Sequence, residues 1–116
     1  MLRVYRLNGL SPVASLEVCD RALRPGAVAV CSAIVDTAST RTAIPLSVLE
    51  SLGVLPSGYV IVEDFQGKAQ PVPLYRVTVR IQGLGDFDLD AMLTERAHAA
   101  LGWDVLSKFA VSLRLS

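Results

Sequence analysis

The chain has 116 residues, which fits one compact domain over 1–116 and leaves little room for a second. Its apolar share of 52% is enough to fill a core and excludes a disordered chain. Eleven basic and eleven acidic residues cancel without any block of like charge, so no electrostatic footprint for nucleic acid or an anionic membrane is expected. Neutral partners such as peptides fit better.

The N-terminal "LRVYRL" reads as a strand whose apolar residues are broken by Arg3 and Arg6, which is not the continuous apolar stretch of a secretory signal. The longest uncharged runs, 25–35 and 51–62, are shorter than the ~18 residues of a membrane span. A cytoplasmic chain with no membrane partner is expected. "VASLEV" (Val13–Val18) is strand-like, and "AVAVCSAIV" (Ala27–Val35), apolar on both faces, predicts a central strand. Cys19 and Cys31 fall in these runs and read as free thiols serving as small core residues.

The apolar run ends at Asp36, followed by Thr37, Ala38 and Ser39. Local sequence leaves two readings open: an Asx-type turn closing a strand, or a working carboxylate. Pro45 then marks a helix start, Leu49 and Leu52 share one side, and Gly53 is the stop. "YVIVEDFQGKAQPVPLY" brackets a polar segment between apolar strands, which predicts a projecting hairpin with Phe65, Gln66, Gly67 and Lys68 at its tip. That hairpin reads equally as a surface turn or as a cover over a cleft.

Tyr75, Val77, Val79 and Ile81 alternate with Arg76, Thr78, Arg80 and Gln82, the pattern of a half-buried strand. After "GLG" (Gly83–Gly85) the alternation resumes, with Phe87, Leu89, Ala91 and Leu93 opposite Asp86, Asp88 and Asp90. A hairpin with cross-strand charge pairs follows. The alternate aspartates do not form a calcium loop, because glycine is missing at the sixth position and Ala97 occupies the twelfth. No metal site is expected. His98 reads as a surface or packing histidine. "GWDVLSKF" predicts a short helix after Gly102, with Asp104 as N-cap or first-turn acid. Phe109, Val111, Leu113 and Leu115 predict a closing strand. Strands dominate, so the class is all-β, with a barrel or sandwich as the way to bury the alternating faces.

Two segments together resemble the retropepsin-like aspartic proteases: "DTAS" after an apolar strand, with a short helix ending in "LGV", and "AALGWDVLSKFAVSL" near the C-terminus. The resemblance implies a closed β-barrel protomer with one or two short helices that supplies half of a two-fold symmetric site. Only one Asp-Thr triplet occurs, so catalysis requires a homodimer with Asp36 from each copy as the catalytic pair. It further implies an endopeptidase without cofactor, in which the paired carboxylates activate a water against a peptide bond. Thr37 would bond across the dyad axis, Ser39 would sit beside the carboxylate, and the hairpin at Phe65–Lys68 would close as a flap over the peptide.

Two departures stand out. Ala38 replaces the family's glycine, which sets the alternative of a catalytically impaired dimerisation or peptide-binding module. A piece cut from a larger polypeptide is a further, lesser expectation. Trp103 stands where the family often has arginine, and Thr40 where that arginine's aspartate partner stands, which predicts replacement of an ion pair by apolar packing.

Overall fold

The computed structural model describes residues 5–6, 12–23 and 26–108. The strands are β1 (Tyr5–Arg6), β2 (Pro12–Asp20), β3 (Val28–Val35), β4 (Ala43–Pro45), β5 (Gly58–Glu63), β6 (Ala69–Ile81), β7 (Gly85–Thr94) and β8 (Ala99–Leu101). A 3₁₀ turn, Arg21–Leu23, follows β2, and helix α1 (Leu46–Leu52) follows β4. A second short helix, α2, occupies 103–108. The predicted closing strand from Phe109 lies outside the described residues.

Strand order β2, β3, β8, β4, β7, β6 returns to β2 through the pairing of Leu16–Asp20 with Val77–Ile81, so six strands close into a barrel. Closure satisfies the edge N–H and C=O groups that an open sheet would expose. β1 extends the barrel beside β2, and β5 pairs with β6 as an outlying hairpin. Inside lie Leu16, Val18, Ile44, Val77, Val79 and Leu101, all essentially without solvent contact.

The alternation in β6 and β7 is realised as read. Tyr75, Val77, Val79 and Ile81 point inward with Phe87, Leu89 and Ala91, while the polar residues pair across the strands as Arg76 with Asp90, Thr78 with Asp88 and Arg80 with Asp86. Arg80 Nε donates to Asp86 at 2.8 Å, and Thr78 Oγ1 donates to Asp88 at 2.7 Å. The Asp86 carboxylate raises the Arg80 guanidinium pKa above its ordinary value by accepting its hydrogen bond. The three aspartates therefore work as cross-strand partners. Thr78 nevertheless is buried despite its place on the polar face, where its register partner on β2 is Cys19.

β3 lies between β2 and β8, the central place expected of it, but is not covered along its whole length. Only Ala33–Val35 pair with β8, whereas Val28 and Val30 are 54% and 68% exposed. An unbroken apolar run is consistent with full burial but does not require it. Both cysteines are free, and both are half-buried rather than fully in the core. Burial raises the Cys31 thiol pKa above its usual 9.0.

α1 begins at Leu46, with Pro45 as its N-cap, and buries Leu49. It ends at Gly53 in the left-handed region (φ 68), where the N–H groups of Gly53 and Val54 return to the carbonyls of Glu50 and Leu49. That arrangement satisfies two end carbonyls and needs positive φ, which glycine supplies without a Cβ penalty.

Candidate active site

The site follows from one feature of strand order. β8 lies between β3 and β4, so the segment joining those two strands, 36–42, must cross over the end of β8. β3 and β8 run parallel with Val35 level with Leu101, which brings Asp36 and Gly102 out at the same end. The Asp36 N–H donates to the Leu101 carbonyl at 3.0 Å and fixes the point where the crossing begins.

Crossing two backbones requires close approach, and Gly102 permits it. A Cβ there would stand 2.6 Å from the Arg41 carbonyl carbon and 2.8 Å from its oxygen, closer than carbon atoms tolerate. Beside this contact the two chains are laced together: the Trp103 N–H donates to the Ser39 carbonyl (3.0 Å) and the Asp104 N–H to the Thr40 carbonyl (3.2 Å). Thr42, fully buried, closes the crossing. Its hydroxyl donates to Asp104 Oδ1 (2.7 Å) and accepts from the Gly102 N–H (3.1 Å), while its N–H donates to Asp104 Oδ2 (2.9 Å).

These contacts narrow one sequence reading and revise another. Of the two places expected for Asp104, it takes that of a first-turn acid of α2 rather than its N-cap; its carboxylate reaches across to the crossing segment, and Gly102 supplies the carbonyl that accepts from Val105 and Leu106. Trp103 is not buried apolar packing, since it is 45% exposed and its indole N–H donates to the Thr37 carbonyl at 2.7 Å. A directional bond to the loop stands where an ion pair was expected to have been replaced by packing.

Held in this way, Asp36 is half-exposed at the start of the crossing. Its Oδ1 accepts the Ala38 N–H at 3.0 Å and its carbonyl accepts the Ser39 N–H at 3.2 Å, an Asx-type turn. The turn geometry and an available carboxylate coexist, because one oxygen accepts the local N–H and the other is not needed for it. Thr37 and Ala38 are exposed, so the Ala38 methyl does not compete for packed space within the protomer. Ser39 Oγ donates to the Arg41 carbonyl at 2.6 Å.

Asp36 and Ser39 share a cleft of about 290 Å³ with an apolar lining that includes Ile34, Met92 and Ala100. Its remaining polar side comes from Thr94 at the end of β7 and from Arg96 and His98 in the turn between β7 and β8. His98, expected as a surface or packing residue, and Arg96, not singled out by sequence, are thus cleft residues. Only the register of β8 beside β3 brings them there, and no local pattern signals that.

Phe65, Gln66, Gly67 and Lys68 lie at the tip of the β5–β6 hairpin, as predicted, and do not line this cleft. Asp64 shapes the tip: its Oδ1 accepts the N–H groups of Gln66 and Lys68, each at 2.9 Å. Residues 61–70 are all exposed.

No protein-family model matches the chain, and no curated protein matches it in sequence. Solved structures do match in fold. The solution structure of simian foamy virus (mac) protease aligns over 84% of this chain and 94% of its own, with a TM-score of 0.63 and 15% identity. The foamy viral protease–reverse transcriptase in complex with an RNA/DNA hybrid aligns over 83% of this chain and 12% of its own, with a TM-score of 0.56 and 12% identity. The chain therefore has the barrel fold of a retroviral protease protomer, as the two sequence segments implied.

Proposed function

We propose that the chain is a homodimeric aspartic endopeptidase in which Asp36 from each protomer forms the catalytic pair. The observation that carries this reading is the half-exposed Asp36 carboxylate, set in an open cleft by a braced crossing of two backbones within a retroviral protease fold. One protomer holds one such carboxylate, so the second must come from a copy related by a two-fold axis.

Two carboxylates brought together cannot readily both ionise, so the pair shares a proton and titrates as a unit. The ionised member takes a proton from a water held between them as that water attacks the peptide carbonyl. The protonated member hydrogen-bonds the developing oxyanion, then passes its proton toward the departing amine. The reaction so written uses water and no cofactor. Thr37, exposed beside Asp36, bonds to its symmetry mate and keeps the two loops at a fixed separation; Ser39 orients the substrate backbone. The exposed hairpin tip at Phe65–Lys68 lies over an extended peptide and adds main-chain hydrogen bonds.

The test is cleavage of a mixed peptide library from mildly acidic to neutral pH by wild type and Asp36→Asn, with sedimentation and circular dichroism on both. Products from the wild type alone, with both variants folded and dimeric, are expected. Equal cleavage by Asp36→Asn, or a folded wild-type dimer that yields no product, overturns the peptidase reading, the second outcome in favour of a peptide-binding module.

A further inference from the structure

We infer that the cleft selects peptides carrying an acidic side chain at a residue flanking the bond to be cut, through the Arg96 guanidinium. This rests on the peptidase reading for the position of the cut, but not for the binding itself. The charges on this part of the molecule argue for it. Arg21, Arg76 and Arg80 are each engaged with Asp90 or Asp86, and Arg41 donates to the Asp90 carbonyl. Arg96 lines the cleft and has no ion-pair partner among the described residues.

Its turn is fixed rather than merely connected. The Arg96 N–H donates to Thr94 Oγ1 at 3.2 Å, at the end of β7, and Ala99 enters β8 three residues later. The side chain thus stands on a short loop anchored at both ends, at the same cleft as Asp36. His98 adds an imidazole to that side.

Among the described residues, Asp36 is the one carboxylate lining the cleft. In a dyad sharing a proton, the two protomers together carry about one negative charge there against two guanidinium groups. The balance is positive, and a guanidinium matches a carboxylate with two parallel hydrogen bonds where an amide offers only one acceptor. Arg96 is exposed, which screens the attraction, so the expected discrimination is about threefold to fivefold for Glu over Gln rather than a strict requirement. Two-fold symmetry presents the same group on both sides of the bond, so the preference is expected at either flanking residue.

A reduced-amide peptide library, randomised on both sides of the uncleavable bond, is captured on immobilised protein and sequenced by mass spectrometry. Wild type is expected to enrich Glu or Asp over Gln or Asn about threefold to fivefold at a flanking position. Arg96→Gln abolishes the enrichment, and Arg96→Glu shifts it toward Lys and Arg, a reversal that mere structural damage does not produce. No enrichment by wild type, no capture, or enrichment that survives both substitutions overturns the inference. A matching library with ordinary amides separates the two claims: acidic capture without cleavage contradicts the peptidase reading alone, and cleavage without acidic preference contradicts this inference alone.

Discussion

Thr42 shows how much one hydroxyl can hold. Buried without solvent contact, it donates to Asp104 and accepts from the Gly102 N–H, so Thr42→Val leaves both partners short of a bond. Each orphaned buried group costs about 1–3 kcal/mol, so a loss of roughly 2–3 kcal/mol is expected in urea unfolding. Peptide cleavage should fall further than stability, because the same bonds position the Asp36 crossing. Trp103→Phe keeps the ring and removes only the indole donor to the Thr37 carbonyl. With that bond partly exposed, a loss of about 1 kcal/mol or less is expected by thermal unfolding. At this scale the sequence was legible where chemistry is local. Asp36 and Ser39 follow directly on a strand end and do meet in one cleft. Asp104 is legible as a first-turn acid but not as the partner of Thr42, which lies 62 positions away, and Arg96 and His98 carry no local signature at all.

Among the elements, the junction of β8 and α2 is the least tolerant of change. Gly102→Ala places a methyl group against the Arg41 backbone, which cannot rotate away as a side chain would. A destabilisation of about 1–3 kcal/mol is expected by urea unfolding, with cleavage lost as the crossing is pushed from the cleft. β3 offers a prediction in pH. Burial raises the Cys31 pKa in the fold, so the unfolded chain ionises first. The stability that the buried thiol contributes is whole below the unfolded value and is lost as pH rises through the folded one. The stability difference between wild type and Cys31→Ala should therefore shrink as pH rises past the ordinary thiol range, above about pH 8.5, measured by urea midpoints. Period-two alternation identified β6 and β7 correctly, because each has one face in the barrel and one in water. For β3 the apolar run marks a central strand, which it is, but does not reveal how far a neighbouring strand extends. The hairpin tip at Phe65–Lys68 was legible from its glycine and polar residues.

For the whole molecule, barrel closure between β2 and β6 and the placement of β8 between β3 and β4 were not readable from periodicity. They are pairings between segments far apart in sequence, and only the resemblance of the two signature segments implied them. The same strand order that closes the barrel makes the Asp36 crossing obligatory, so fold and site are one arrangement. The central claim is that two protomers share one catalytic centre. Mixing wild type with Asp36→Asn at fixed total concentration, above that needed for dimers, tests it most directly. If each active centre needs both carboxylates, activity follows the square of the wild-type fraction, and an equal mixture retains about one quarter. Retention of about one half would mean that each protomer works alone and would contradict the account.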